Sequence, residues 1–159
     1  MSGDRMRVHL STRIDRGLPG RPQRRWLERA VRSALKSGQV AREVSLTVVI
    51  TNDVRIRELN RTYRDVDAPT DVLSFSNIAD KVAVPGTDDS YLGDVIISYE
   101  RAAEQAAALG HSVDEEIALL VVHGVLHLLG HDHEEPGDKR CMWSVQDAAL
   151  GALGIAWRP

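Results

Sequence analysis

Residues 112–133 read Ser-Val-Asp-Glu-Glu-Ile-Ala-Leu-Leu-Val-Val-His-Gly-Val-Leu-His-Leu-Leu-Gly-His-Asp-His, and they contain both a predicted core helix and a candidate site. Ser112 and Glu115 have the spacing of a capping box, so a helix is expected to begin there. The run 117–129 is apolar almost throughout, which indicates a helix buried on most of its surface. Gly130 favours a left-handed turn that ends the helix and lets the chain fold back.

The second half of this segment is dense in histidine. Four of the six histidines of the chain lie between His123 and His133. On a helix, His123 and His127 are one turn apart and project from the same face. Two imidazoles from a helix and a third from the following turn leave one coordination position open, which is typical of catalytic zinc. The alternative, histidines placed in core and surface without a metal, requires other partners for each buried ring nitrogen.

The spacing alone does not decide whether His131 or His133 supplies the third ligand. An unbroken helix would align His131 with the first two histidines, but the three rings would then spread over about 11 Å, too far for one metal with bonds of about 2 Å. Because Gly130 interrupts the helix, we favour His133. His131 then either contacts one of the metal ligands or is simply an exposed residue of the turn.

Strand-like and helix-like patterns alternate along the rest of the chain. They predict a single α+β domain over residues 1–159, with one mixed sheet of about four strands, helices packed on it, and a metal site at the end of a buried helix. The predicted strands cover 5–10, 43–51, 71–75 and 92–98. The predicted helices cover 23–36, a segment capped by Asn52 or Asp53, 102–109, 117–129, and a last segment from Pro136. The expected inner face of the second helix comprises Val54, Ile56, Leu59 and Tyr63.

Composition agrees with one small domain. With 159 residues, of which 43% are hydrophobic, the chain can bury one core. Its one cysteine, Cys141, excludes an internal disulfide and suits a reducing compartment. We see no signal peptide and no apolar run long enough to span a membrane, so we expect a cytoplasmic protein without a membrane partner.

The charges are unevenly distributed. Of the 20 lysines and arginines, 15 lie in residues 1–65 with 7 of the 23 acidic residues, which gives +8 there and −11 in the remainder. Arginines crowd the first predicted helix and the turn before it: Arg21, Arg24, Arg25, Arg29 and Arg32. The guanidinium fork suits phosphate contacts, although a solvated helix face is the commoner explanation of such a run.

Three blocks of sequence resemble the YbeY family of bacterial rRNA maturation factors. Residues 123–133 match the family's His-Gly-x-Leu-His-x-x-Gly-x-Asp-His signature. Upstream, Asn60-Arg61-Thr62-Tyr63-Arg64 and Pro69-Thr70-Asp71-Val72-Leu73-Ser74-Phe75 are similar to its Asn-x-x-Tyr-Arg and Pro-Thr-Asp-Val-Leu-Ser-Phe block. Gly93-Asp94-Val95 resembles its Gly-Asp-Ile strand. Two positions depart from the family pattern, since Ser76 replaces a usual proline and His131 a usual tyrosine.

The resemblance implies a single-strand-specific, zinc-dependent endoribonuclease that acts in rRNA maturation at the 16S rRNA 3′ end and in ribosome quality control. It implies one zinc ion per chain, with His123, His127 and His133 as ligands. Arg64 and His127 are the predicted catalytic residues, with Arg64 bracing the phosphodiester. Single-stranded RNA or rRNA, and the ribosome or a ribosomal protein, are the implied partners. Three imidazoles also accept nickel, cobalt or copper.

Other assignments stay open at this stage. A metalloprotease would need glutamate directly after the first histidine, where this chain has Gly124. A zinc-containing, ribosome-associated module that binds RNA or protein without robust catalysis is the main alternative. Asp132 could orient a ligand imidazole or cap the turn. Asp71 and Asp94 stand near predicted strand ends, and we assign neither a catalytic role. The number of subunits is open.

Overall fold

The computed structural model describes residues 7–77, 90–131 and 136–156. Within these ranges the elements follow one another as β1 (Val8–Ile14), α1 (Arg24–Ser37), β2 (Val44–Thr51), α2 (Asp53–Arg64), β3 (Val72–Ser76), β4 (Tyr91–Ser98), α3 (Tyr99–Leu109), α4 (Val113–Leu128) and α5 (Pro136–Ala152). Every predicted strand and helix therefore has a counterpart, with ends that shift by a few residues.

The four strands form one mixed sheet in the order β1-β2-β4-β3. β1, β2 and β4 are parallel, so their amino-terminal ends lie at the same edge of the sheet, and β3 pairs antiparallel with β4 on the outside. The predicted α+β class and the mixed sheet of about four strands are confirmed.

The sheet buries its two faces unequally. Val95 and Ile97 of β4 face the larger core, which α1, α4 and α5 complete. The alternate residue, Ile96, faces a smaller cluster with Ile56 of α2 and Leu73 of β3. α4 and α2 therefore lie on opposite faces, and both approach the edge strand β3.

The histidine helix α4 is the most buried helix of the fold. Ser112 and Glu115 form the predicted capping box, with the Ser112 side chain accepting from the Glu115 N–H and the Glu115 side chain accepting from the Ser112 N–H. From Glu116 to Leu128 only Leu119, His123 and His127 are partly exposed. Since these three positions are spaced by four residues, the helix opens along one stripe that ends at the histidines.

Two predictions from the sequence were wrong in detail. The first strand was expected at 5–10 but runs from Val8 to Ile14, because it pairs with β2 from Val44 to Ile50. Residues 1–6 lie outside the described ranges. On α2, Val54 and Tyr63 were expected to face the core but are 69% and 67% exposed.

None of the helices in the described part of the chain is both long and apolar enough to cross a membrane.

Candidate metal centre and the adjoining groove

His123 and His127 bring two ring nitrogens together on the open stripe of α4. Their Nε2 atoms are 3.0 Å apart, and their ring centroids are 4.6 Å apart with an interplanar angle of 74°. Two nitrogens bound tetrahedrally to one zinc at about 2.05 Å would be about 3.3 Å apart. The observed separation therefore fits two ligands of one ion after a shift of a few tenths of an ångström.

A buried glutamine orients the first of these rings. Nδ1 of His123 lies 2.9 Å from Oε1 of Gln146, and Gln146 on α5 is only 1% exposed. Because an amide oxygen can only accept, Nδ1 carries the proton and Nε2 keeps its lone pair for a metal. An amide held behind a ligand imidazole is the kind of support that metal-binding histidines use.

The chain reverses immediately after His127. Gly130 has φ +93°, its N–H donates to the His127 carbonyl over 3.0 Å, and the His131 N–H donates to the Leu126 carbonyl over 3.0 Å. This pair of hydrogen bonds is a Schellman motif with glycine at the left-handed position. The predicted turn at Gly130 is confirmed, and His131 belongs to the turn instead of extending the helical row.

The third predicted ligand lies in a part of the chain that the structure does not describe. His133 and Asp132 lie outside the described residues. Among the described ones, no group of three histidine, cysteine, aspartate or glutamate side chains is arranged to hold a metal. His123 and His127 are brought together, and the assignment of His133 stays a prediction.

Gly124 separates this helix from that of a zinc protease. A Cβ at Gly124 would lie 2.6 Å from Cγ1 of Val95 and 3.2 Å from Oγ of Ser74. The position after the first histidine therefore faces the sheet, and a glutamate there could not reach a metal-bound substrate without rebuilding the core. The helix packing disfavours the metalloprotease alternative.

Ser74 of β3 connects Arg64 to the histidine helix. Its hydroxyl donates to the Gly124 carbonyl over 3.1 Å, and its own carbonyl accepts a hydrogen bond from Nη2 of Arg64. Arg64 is the last residue of α2, and its Cζ lies 5.2 Å from the centroid of the Phe75 ring. The predicted arginine is thus fixed against the edge strand that α4 also contacts.

A groove of about 700 Å³ opens beside Arg64, between the end of α2 and strands β3 and β4. Its described lining includes Leu59, Tyr63, Phe75, Tyr91, Asp94 and Ile96. The rings of Tyr63 and Phe75 meet edge to face, with centroids 5.5 Å apart. Sequence reasoning placed Tyr63 in the core and therefore missed this groove, whose walls come from three separate segments.

Two polar residues in the groove lining, Tyr91 and Asp94, are hydrogen-bonded to each other. The Tyr91 hydroxyl donates to Asp94 and lies 2.9 Å from Oγ1 of Thr47. Burial, followed by the hydrogen bond to Asp94, raises the pKa of Tyr91 above its ordinary value. The phenol therefore stays a donor to the Asp94 carboxylate at neutral pH.

Two other residues singled out in the sequence are not part of the described lining of this groove. Asp71 accepts from the Val72 N–H over 2.8 Å and from Nε2 of Gln105 over 3.2 Å, which ties the start of β3 to α3. Cys141 is exposed on α5.

Comparisons with known proteins agree with the sequence signature. Residues 12–154 match the family described as Endoribonuclease YbeY. The protein of that name from Roseiflexus castenholzii is 51% identical over 132 residues, which cover 82% of this chain and 83% of the relative. The protein of that name from Carboxydothermus hydrogenoformans is 49% identical over 129 residues, which cover 81% and 85%.

A solved structure supports the fold. The solution structure of TM1509 from Thermotoga maritima superposes with a TM-score of 0.57 at 21% identity, over 92% of this chain and 91% of that one. At this low identity, the solved structure supports only the fold. The family match and the relatives cover most of the chain, and the relatives do so at high identity. This chain belongs to the Endoribonuclease YbeY family.

Proposed function

We propose that the chain is a metal-dependent endoribonuclease that cleaves single-stranded RNA during rRNA maturation. Its family supports the nuclease activity. The observation that carries the metal dependence is the 3.0 Å approach of the His123 and His127 Nε2 atoms at the end of a buried helix. We propose His133 as the third ligand and one zinc ion per chain. A divalent ion bound there supplies Lewis-acid polarisation of a phosphate oxygen and an acidified water.

Arg64 positions the phosphodiester in this scheme. One of its five N–H donors is used by the Ser74 carbonyl, which fixes the guanidinium and leaves other donors for phosphate oxygens. Preorganised donors of this kind stabilise the charge that grows on a phosphate during cleavage. His127 serves as a metal ligand, and the same side chain is therefore essential for cleavage.

The groove between α2 and the β3–β4 edge is the proposed path of the RNA strand beside Arg64. It offers exposed ring surface from Tyr63 and a half-buried ring from Phe75. Unpaired bases stack on aromatic side chains, and bases within a duplex are not available for such contacts. The groove therefore supports a preference for single strands. On the basis of the sequence resemblance, the proposal extends to processing of the 16S rRNA 3′ end, to ribosome quality control and to a ribosomal partner. A cytoplasmic location is part of the same proposal.

Metal analysis beside RNA cleavage tests the centre. We expect wild type and His131→Ala to hold one equivalent of zinc and to cleave a single-stranded RNA, whereas His127→Ala and His133→Ala lose both properties. His131→Ala is the matched control because it removes a neighbouring imidazole from the same turn. Full metal content in His133→Ala would contradict the proposed ligand set.

Chelation separates this proposal from the alternative of a zinc-containing, ribosome-associated binding module without robust catalysis. If removal of zinc abolishes cleavage while circular dichroism and thermal unfolding stay unchanged, the metal is catalytic. If the fold is lost with the metal and the reloaded protein binds RNA without cutting it, the binding module is correct.

A further inference from the structure

A second groove, of about 1120 Å³, lies beside the edge strand β1, on the other side of the sheet from β3. It is formed by α1, the start of β1 and the end of α5. Four of its lining side chains are basic: Arg7, Arg29, Arg32 and Lys36. All four are exposed. None of the described residues that line the groove is acidic. We call this surface the basic groove.

Two acidic side chains of the described residues form ion pairs with residues that line the basic groove. Glu28 pairs with Arg32 at 3.2 Å, and Glu43 pairs with His9 at 2.6 Å. Arg29 lies against a ring, with its Cζ 5.3 Å from the Trp26 centroid. A guanidinium attracted to an aromatic ring keeps its positive charge, so Arg29 remains a cation of the basic groove. Among the described residues, the four lining cations outnumber these two carboxylates, so the local charge is positive although the whole chain carries −3.

The spacing of the cations suits a chain of phosphates. Arg29 and Lys36 lie seven positions apart on α1, which places them about 10 Å apart along the helix axis. Consecutive phosphates in one strand of a duplex rise by about 3.4 Å, and those of an extended single strand are farther apart. The stripe thus matches about two or three consecutive phosphates. Val8, Val40 and Leu153 line the same groove and give it apolar walls.

The basic groove lies at the same end of the sheet as the histidines. α1 ends at Gly38, where a Cβ would lie only 2.7 Å from Cδ1 of Leu129. Leu129 caps the histidine helix two residues after His127. Arg7 and Val8 stand at the amino-terminal edge of the sheet, as does Gly93 on β4, which contacts Leu128. The end of α1, where Lys36 lines the basic groove, therefore adjoins the end of the histidine helix.

We propose that the basic groove binds the phosphate backbone of the RNA strand several nucleotides away from the bond that is cut at the histidines. The identity of the strand rests on the proposed function. An endonuclease cuts inside a strand, so the substrate continues beyond the reacting phosphate and requires a surface to lie on. The acidic half of the chain repels that strand, and the basic groove gives it a favourable path.

RNA binding by the full-length protein tests this assignment. The probes are a 20-nucleotide and a 5-nucleotide fluorescent single-stranded RNA, measured by anisotropy at 50 and 200 mM salt. The test variant is Arg29→Gln/Lys36→Gln. The matched control is Arg16→Gln/Arg55→Gln, which removes the same charge from exposed positions beyond the carboxyl ends of β1 and β2.

Loss of two phosphate contacts should reduce the salt slope for the long RNA by about 1.4, since each contact to a single strand contributes about 0.7. Between 50 and 200 mM salt the affinity of the test variant should then fall about sevenfold less than that of wild type. With the short RNA, we expect the test variant to show the same salt slope as wild type. The control variant should show the wild-type slope with both RNAs. Equal effects of both double variants, or equal effects on both RNA lengths, would overturn the proposal.

Two further measurements separate the possible failures. If wild type cleaves no RNA but the long RNA still shows the groove-dependent slope, the nuclease proposal is wrong and the basic groove stands. If wild type cleaves RNA and the slope is unchanged in the test variant, only the groove assignment is wrong. Poly-glutamate in the same assay stands in for an acidic protein partner. If the test variant lost binding of poly-glutamate but not of RNA, the assignment of the groove to RNA would be overturned.

Discussion

The hydroxyl of Ser74 donates a hydrogen bond to the backbone carbonyl of Gly124 over 3.1 Å, one residue beyond His123. Ser74 lies on the edge strand β3, and Arg64 donates to its carbonyl from the other side. The position of Arg64 relative to the histidines is therefore set through one residue of the sheet. In the proposed mechanism, this connection lets a guanidinium at the end of α2 and imidazoles on α4 serve the same phosphate although the helices cover opposite faces.

Removal of the Ser74 hydroxyl tests this connection. In Ser74→Ala the Gly124 carbonyl loses its side-chain donor, so the free energy of unfolding should fall by about 1 kcal/mol. The rate of RNA cleavage should fall by about tenfold if Arg64 and α4 lose their mutual register, while zinc content stays at one equivalent. Denaturant titration and single-turnover kinetics measure the two effects. Ser11→Ala on the exposed side of β1 is the control, and an unchanged cleavage rate in Ser74→Ala would show that the register does not depend on this bond.

Gly124 is required by packing against β4. A Cβ at this position would lie 2.6 Å from Cγ1 of Val95, so Gly124→Ala should lower the free energy of unfolding by about 1–3 kcal/mol through overpacking. Val95→Ala removes the clashing methyl, and the double variant should lose less stability than the two single losses combined.

Gly151→Ala provides the comparison for that series. Gly151 lies in α5 with nothing within 4 Å of a would-be Cβ. The substitution should leave stability unchanged or raise it by about 0.5–1 kcal/mol, because alanine is the better helix former. Additive losses at positions 124 and 95 would refute the packing explanation.

Local signals made the histidine helix predictable. The capping box of Ser112 and Glu115, the apolar run that follows it and the glycine at position 130 each act within one or two turns of chain. The structure confirms all three. The same local signals place His123 and His127 side by side on α4. The predicted ligand from the turn, His133, lies outside the described residues and stays a prediction.

Features that depend on sheet edges were not predictable. Helical periodicity assigned Tyr63 correctly to the side of α2 that carries Ile56, but periodicity does not say where the sheet ends. α2 extends beyond the small cluster of Ile56, Leu73 and Ile96, so Tyr63 is exposed. The contact of Gln146 with His123 was not predictable either, because the two residues are 23 positions apart and no sequence pattern links them. The exposure of Tyr63 and the contact of Gln146 both result from tertiary packing.

Arg64 should be sensitive even to a substitution that keeps its charge. Lysine has no planar fork to bridge the Ser74 carbonyl and a phosphate, and it loses the stacking on Phe75. We expect Arg64→Lys to reduce cleavage by about 10²-fold with unchanged zinc content. Arg61→Lys, one turn earlier on the exposed side of α2, should cleave at the wild-type rate. Wild-type activity in Arg64→Lys would leave only a charge requirement at this position.

The exposed Tyr63 ring should contribute to RNA binding and not to folding. Because the residue is 67% exposed, Tyr63→Ala should change the free energy of unfolding by no more than about 0.5 kcal/mol. Stacking of one base is worth about 1–3 kcal/mol, so RNA affinity should fall by about tenfold, and Tyr63→Phe should retain it. Val54→Ala, equally exposed on the same helix, is the control for loss of apolar surface. Equal RNA affinity of Tyr63→Ala and wild type would remove the ring from the binding surface.

Gln146 should determine metal affinity without being a ligand. Its Oε1 accepts from Nδ1 of His123 over 2.9 Å, and Gln146 itself is only 1% exposed. In Gln146→Leu the imidazole loses the partner that fixes its tautomer and orientation, so zinc affinity should fall by about 10–100-fold. Gln146→Glu keeps an oxygen acceptor of nearly the same shape and should retain or raise the affinity, because a carboxylate makes the imidazole a stronger donor to the metal. Competition with a chromophoric chelator measures both values, and circular dichroism of the metal-free proteins controls for folding. If Gln146→Leu and Gln146→Glu lost zinc to the same extent while remaining folded, the glutamine would act through packing alone, and the tautomer assigned to His123 would be wrong.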